Sequence, residues 1–350
     1  CGSNSDKGGN VNAPWRRSAG VRVRGSGSGS GTDSGLVVAM AGSAALAVPL
    51  ALPVQVFAQE KIVRFTLPQD FTRIYTDHLI GEVRRIAEGP AEGWSEFEAV
   101  LLGLADELFR NASVTDQTWD TLAEQYDLYN MVDAGVTVNE TTSNAILFNS
   151  LGIQPDDDTT ARIPTDDVAY RVVVPDREPS LEVPRIEPLE GDGLRVGRTF
   201  RRHPDMAAAR GTNPGYILNP ERSRLMPHDR ELLILRTGWN AQAVYEWAKH
   251  VGSVGRARDR GLEPLWIAQG KDAPGWSDYE RALIDAADEM FRDAMIADET
   301  WARLSEHYDT HQMMSVAATV GRYRMVSMTL NALGVQPLPD DELFPKLEGY

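Results

Sequence analysis

An internal repeat is the feature of this 350-residue chain that most constrains its fold. The segment from Trp94 to Pro155 aligns without a gap on the segment from Trp276 to Pro337. Between the two segments, about 25 of roughly 62 positions are identical. Self-similarity at a fixed offset is the signature of a duplicated structural unit. The chain is therefore expected to fold as two copies of one unit.

Both copies show the periodicity of α-helices. In the second copy, apolar residues recur every three or four positions from Tyr279 to Phe291, which is typical of a helix with one buried stripe. Ser277 stands three residues before Glu280, the spacing of a capping box that begins a helix. Gly334 marks the end of a last helix. Because neither copy contains a hairpin or an alternating strand pattern, the predicted fold class is all-α.

The repeat divides the chain into four predicted parts. The first copy lacks the stretch that corresponds to 227–250 of the second copy, because Ala-, Val- and Pro-rich sequence occupies that place. It is therefore expected to be truncated and to pack on the complete copy. The parts are a disordered leader over residues 1–58, the truncated copy over 59–158, a Pro-rich acidic linker or extended strap over 159–193, and the complete copy over 194–350.

The leader leaves three interpretations open. Arginines precede an apolar run, residues 36–58, which ends at Ala58 in the manner of a secretory signal. The run is also near the lower length limit for a single membrane anchor. A non-native stretch that does not fold is the third interpretation. A signal implies export and its absence implies the cytoplasm, while a membrane is an expected partner only if the run is an uncleaved anchor.

Charge and cysteine content exclude several classes of function. Lys and Arg total 35 and Asp and Glu total 51, so the formal net charge is −16. An acidic surface repels phosphate backbones, so no nucleic-acid partner is expected. The single cysteine, Cys1, excludes an internal disulfide framework, a cysteine-based zinc site and a two-cysteine redox centre.

Glu231, Glu246 and His250 are the candidate catalytic residues. Glu246 and His250 are four residues apart, so they project from one face of a helix. Glu231 belongs to the preceding helix, which the Thr237-Gly238 pair is predicted to end and which can fold back on the next. A carboxylate beside an imidazole raises the histidine pKa and orients the ring, and a second carboxylate can share a proton.

Two other interpretations of these residues stay open. Glu–His pairs at this spacing are common on helix surfaces, where they have no catalytic role. A metal site needs more ligands, and only His228 and Asp229 stand nearby in sequence, so no metal is predicted.

Short segments of the second copy stand in a characteristic order: Arg230-Glu231-Leu232, Tyr245-Glu246-Trp247 with His250, Gly275-Trp276-Ser277, Thr300-Trp301 and Asn331-Ala332-Leu333-Gly334. In order and spacing they resemble the carboxymuconolactone decarboxylase family of the alkylhydroperoxidase D-like superfamily. The resemblance covers about residues 195–337, and residues 79–158 as a truncated copy. It implies an alkylhydroperoxidase D-like helical bundle with one degenerate and one complete copy, assembled as a homo-oligomer.

The resemblance also implies a chemistry. In the peroxidase branch, two cysteines stand between a glutamate and a histidine. Here Ala243 and Glu246 occupy the cysteine positions, while Glu231 and His250 match the flanking pair. Dithiol peroxide reduction is therefore disfavoured. The expected function is acid–base catalysis on a small carboxylated or lactone substrate, with no cofactor and no thiol chemistry. The alternative is a non-catalytic helical oligomerisation or ligand-binding module.

Five further residues are expected to bind the substrate. Loss of carbon dioxide requires a cation or hydrogen-bond donor for the carboxylate, and Arg230 or Arg236 is expected to supply it. Trp239, Tyr245 and Trp247 flank the candidate catalytic residues and are expected to form an apolar wall.

Overall fold

The computed structural model describes residues 55–58, 61–64, 85–89, 93–153, 181–204, 217–219 and 223–347, and these are predominantly helical. The all-α prediction is therefore confirmed for the body of the chain. The helices are α1 (Glu96–Asn111), α2 (Asp116–Ala123), α3 (Leu128–Ser150), α4 (Arg195–Phe200), α5 (Pro227–Asn240), α6 (Val244–Val251), α7 (Pro264–Gln269), α8 (Asp278–Asp293), α9 (Asp298–Ser305) and α10 (Thr310–Ala332), with a 3-10 turn over Ala257–Arg260.

A short hairpin departs from the expectation that the chain contains no strands. β1 (Gln55–Ala58) pairs antiparallel with β2 (Lys61–Arg64). β1 is the end of the predicted leader, whose residues 1–54 lie outside the described part, and β2 falls within the predicted first copy. Valine, isoleucine and phenylalanine, which occur in these two segments, favour a pleated strand. No helix in the described ranges is long and apolar enough to cross a membrane.

Three helices of the first half recur at equal length in the second half. α1 and α8 each have 16 residues, α2 and α9 have 8, and α3 and α10 have 23. Ser95 and Ser277 both form capping boxes, so the cap predicted at Ser277 is confirmed. Ala112 and Ala294 close the same two helices in the left-handed conformation, with φ of 52° and 56°.

α5 continues through the Thr237-Gly238 pair, so the prediction that it ends there is wrong. The Thr237 hydroxyl donates to the carbonyl of Leu233 at 2.7 Å, so this buried polar group is satisfied within the helix. Gly238 faces α6, where a Cβ would lie at an ordinary contact distance of 3.8 Å from the backbone nitrogen of Trp247. Tertiary packing thus overrides the local preference. The chain reverses two residues beyond α5 at Gln242, whose φ is 50°.

α3 and α10, the last helices of the two halves, make the most extensive helix–helix contact among the described elements. Their backbones approach closely at Gly321, where a Cβ would lie 3.0 Å from the carbonyl oxygen of Ser143. Nearby, the amide of Asn139 donates to the hydroxyl of Thr329 at 3.0 Å. The first half therefore supports the central helix of the second.

The core of the first half is completed by the second half. Its buried cluster contains Leu104 and Leu108 from α1 together with Ala241, Ala243 and Met328. Small side chains from the α5–α6 turn thus cover apolar surface of the first half. Within the described residues, the first half therefore packs on the second half.

Arg324 is fully buried between the two halves. Its guanidinium donates to the carbonyl of Met290 near the end of α8 at 3.0 Å, and to the carbonyl of Phe109 near the end of α1. It also packs against the rings of Phe109 and Phe291, each 4.6 Å from its central carbon. These phenylalanines occupy equivalent positions in the repeat, so one cation joins equivalent helix ends.

The described end of the predicted linker packs as a strap. The backbone N–H of Arg185 donates to the carbonyl of Leu333 at 3.2 Å. Its guanidinium donates to the carbonyl of Val114 at 2.9 Å and pairs with Asp116. Residues 181–193 therefore tie the α1–α2 loop to the end of α10. Linker residues 159–180 lie outside the described part.

Replacing Arg324 is expected to destabilise the protein strongly. Arg324→Met keeps much of the buried volume but leaves two helix-end carbonyls without their donor, at a cost of about 2–4 kcal/mol. The measurement is urea unfolding followed by circular dichroism. Arg292→Met is the matched control, because this exposed arginine pairs with its neighbour Asp293, and should change stability by less than about 0.5 kcal/mol. Equal effects of the two substitutions would show that Arg324 does not join the halves.

Candidate functional site

α5 and α6 bring the three candidate catalytic residues together. Glu231 lies in the first half of α5, which begins with Pro227 at a position where the missing N–H has no cost. Glu246 and His250 lie one turn apart on α6. Because the chain reverses sharply after α5, α6 packs against it and His250 faces Glu231. The three residues therefore meet as the sequence predicts.

His250 is held between two carboxylates. Its Nδ1 pairs with Oε1 of Glu231, and its Nε2 lies 3.1 Å from Oε1 of Glu246. Arg260, from the 3-10 turn, binds the other oxygen of Glu231 at 2.7 Å. The ring of Tyr323 on α10 meets the imidazole edge-on, with centroids 5.1 Å apart. These contacts define the His250 cluster, namely Glu231, Glu246, His250 and Arg260.

The carboxylates determine the charge of His250. Burial alone would lower its pKa, because the imidazolium loses its hydration. The negative charge of Glu231 and the hydrogen bonds to Glu231 and Glu246 outweigh burial and raise the pKa of His250 to about 10. At neutral pH the side chain is therefore an imidazolium that donates from both nitrogens. In this state it can release a proton but cannot accept one.

A cavity of about 460 Å³ opens beside the His250 cluster, a volume typical of small-molecule sites. Glu246, His250 and Tyr323 are among the residues that line it. Its remaining wall is mainly apolar, formed by Leu194, Val196, Gly197, Phe200, Ile217, Leu218, Val254 and Val326. The buried imidazolium thus borders a space that can hold a small molecule.

The aromatic residues predicted to bind substrate separate into two groups. Tyr245 lines the cavity, and its hydroxyl accepts a hydrogen bond from the backbone of Val196 at 3.3 Å. Trp239 and Trp247 do not line it. Their rings pack on each other with centroids 5.7 Å apart, and both pack on Phe344. The two tryptophans, which were expected to form the substrate wall, thus lie outside this cavity and pack on the C-terminal segment instead.

Arg236 does not take the role predicted for it. Its Nε and Nη2 donate to the carboxylate of Asp288 at 2.6 and 2.9 Å, and its Nη1 donates to the carbonyl of Ile267 at 2.8 Å. These partners occupy the guanidinium, so Arg236 holds α5 to α8 and α7.

Arg230 lies beside the cluster but does not line the cavity. It is 4% exposed, and its Nε and Nη1 have no hydrogen-bond partner among the described residues. Burial and the nearby charge of Arg260 lower the pKa of Arg230. Its position supports an electrostatic role near Glu231 rather than direct contact with a molecule in this cavity.

Three basic residues of the site were not predicted. Arg260 reaches Glu231 from a 3-10 turn whose sequence shows no helical periodicity. Lys249 and Arg322 line the cavity. Lys249 directly precedes His250 in sequence, and this adjacency was the one available sign that it lies near the site. Arg322 comes from a helix distant in sequence, and only the tertiary fold places it here.

No cluster of three or more His, Cys, Asp or Glu residues with a geometry suited to a metal ion occurs in the described ranges. Comparisons with known proteins found no matching family model, no matching curated protein and no matching solved structure. The family resemblance is therefore supported by the residues of this chain alone.

A methyl group at Gly255 is expected to disrupt the His250 cluster. A Cβ at this position would overlap the Glu231 carboxylate and the backbone carbonyl of His250. Gly255→Ala should therefore displace Glu231 and destabilise the protein by about 1–3 kcal/mol in denaturant unfolding. Gly103→Ala is the control, because its Cβ would meet nothing within 4 Å and alanine favours its helix. If Gly255→Ala left the free energy of unfolding unchanged, Glu231 and the His250 carbonyl could not lie this close to position 255.

The contribution of His250 to stability is expected to fall as pH rises. The imidazole titrates near 6.5 when unperturbed, as in the unfolded chain, and near 10 in the folded protein. Between these values the folded state binds more protons, so the stabilisation is full below about pH 6.5 and disappears above about pH 10.

The measurement is the unfolding free energy of the unmodified protein minus that of His250→Gln across this interval. The difference should shrink steadily with rising pH. A difference that stays constant, or that grows, would show that His250 is not an imidazolium in the folded protein.

Proposed function

We propose that this chain is an acid–base enzyme of the carboxymuconolactone decarboxylase type, which acts on a small carboxylated or lactone substrate without thiol chemistry. The observation that carries the proposal is the buried imidazolium of His250, held between two carboxylates and bordering the cavity. A cluster exposed to solvent with no cavity beside it would have favoured a structural ion pair.

His250 serves as the proton donor in the proposed reaction. When the bond to the departing carbon dioxide breaks, its electron pair stays on the substrate as a carbanion or enolate. The Nε2–H of His250 transfers its proton to that carbon. Although a donor with a pKa of about 10 is a weak acid, a carbanion is a far stronger base, so the transfer is favourable. The high pKa keeps the donor protonated at neutral pH.

The other residues of the cluster position the donor. Glu231 and Arg260 fix the Nδ1 side of the imidazole, so the opposite nitrogen keeps its direction. Glu246 lines the cavity and stabilises the imidazolium before transfer. The apolar wall limits water, which strengthens these electrostatic interactions and protects the carbanion from stray protons.

The proposal includes the alkylhydroperoxidase D-like fold, with one degenerate and one complete copy in a homo-oligomer. Support comes from the equal helix lengths and equivalent caps of the two halves. The peroxide chemistry of that superfamily is not proposed, because the chain has a single cysteine and Ala243 is buried where a thiol would be needed. The proposed acid–base chemistry calls for no cofactor.

A non-catalytic ligand-binding module is the second candidate. One observation favours it, since both nitrogens of His250 and both oxygens of Glu231 already have partners. A saturated ion network can simply hold α5 and α6 together beside a binding cavity. The two candidates differ in whether His250 controls a rate or only stability.

The test is carbon dioxide release from a panel of lactone acids by the purified protein. His250→Gln should reduce the rate by about 10²–10⁴-fold, because glutamine cannot titrate. Glu246→Gln should slow turnover and lower the pKa of His250, seen as a shift of the pH–rate profile to lower pH. His311→Gln, at an exposed histidine of α10, is the matched control and should keep full activity.

The combined outcomes separate the candidates. If the unmodified protein turns over a panel compound and folded His250→Gln does so at the same rate, His250 is not the proton donor. Saturable binding of panel compounds, with no turnover of any of them, would favour the non-catalytic module.

A further inference from the structure

We infer that Arg322 is the residue that binds the carboxylate of a small organic acid in the cavity beside His250. The inference rests on the proposed function for the reaction that this binding serves, but the binding can be measured without turnover. It replaces the role predicted for Arg236, whose guanidinium is occupied by Asp288.

Four charged side chains line the cavity, and three of them are compensated. His250 lies between Glu231 and Glu246. The positive charge of His250 and the negative charge of Glu246 therefore both have partners within the cluster. Lys249 donates to both carboxylate oxygens of Asp341, at 2.6 and 2.9 Å. Neither Lys249 nor His250 therefore offers an uncompensated positive charge to a ligand.

Arg322 is the fourth charged residue of the lining and differs in its environment. Its nearest acidic partner is Glu140, at 4.0 Å, and that side chain is 48% exposed. Such a long, solvent-screened pair contributes little. Its other recorded contact is a weak one, from Nη1 to the sulfur of Met325 at 3.8 Å. Within the described residues, most of the donors of the guanidinium thus remain available.

The position of Arg322 suits a ligand with one charged end. It neighbours Tyr323, which contacts His250, and it shares a helix face with Val326 in the cavity wall. A guanidinium binds a carboxylate through two parallel hydrogen bonds. The apolar wall then accommodates the rest of the molecule.

The charge balance also defines the ligand class. The whole chain carries a net charge of −16, which repels anions at long range. Arg322, which lines the cavity and has only a weakly paired positive charge, opposes this repulsion locally. The site therefore selects a small organic carboxylate with an apolar body over its neutral analogue.

The experiment uses calorimetric titration of the full chain with benzoate and with benzamide, which share a shape but differ in charge. The unmodified protein should bind benzoate more tightly. Arg322→Gln should weaken benzoate binding by about 10–100-fold and leave benzamide binding unchanged. Arg322→Lys should retain part of the preference, because it keeps the charge but loses the planar fork. Arg292→Gln, at an exposed arginine, is the matched control.

Several outcomes would overturn the assignment. These are no benzoate binding by the unmodified protein, equal binding of benzoate and benzamide, or unchanged benzoate binding by Arg322→Gln. A thermal unfolding curve of each variant confirms that it is folded. Carbon dioxide release that depends on His250 would stand even if the Arg322 assignment failed, so the two failures are distinguishable.

Discussion

The site depends on one buried interaction, the contact between the His250 imidazolium and the Glu231 carboxylate. Both side chains are almost fully buried, and neither could carry its charge there alone. Arg260 satisfies the second oxygen of Glu231, and a glycine at position 255 leaves room for the carboxylate. The pair therefore fixes α5, α6 and the 3-10 turn relative to one another. The same contact that organises this part of the fold keeps the imidazole protonated.

The first half contacts the site through α10. It has no counterpart of α5 and α6 among the described residues, yet α3 packs along α10 and Arg324 joins equivalent helix ends of both halves. α10 in turn presents Tyr323 to His250 and Arg322 to the cavity. The first half thus contributes no residue to the His250 cluster but packs on the helix that carries Tyr323 and Arg322.

Residue spacings in the sequence predicted those features that depend on contacts between residues close together in the chain. The capping box at Ser277 and the shared helix face of Glu246 and His250 follow from spacings of three and four residues, and the structure contains both. The continuation of α5 through Gly238 could not be predicted, because packing against α6 decides it. Arg260 and Arg322 were missed for a related reason. Their positions depend on how distant segments pack, and an arginine in sequence gives no sign of whether its charge is compensated.

Charge balance links the proposed reaction to the architecture. The two glutamates of the His250 cluster are balanced by His250 and Arg260, so the resting cluster is neutral as a unit. Transfer of the His250 proton would leave one uncompensated negative charge in a buried place, which is costly. That cost favours recovery of a proton from solvent through the cavity side, where Glu246 lies. In the proposed reaction, the raised pKa of His250 would therefore return it to the protonated state after each transfer, as repeated turnover requires.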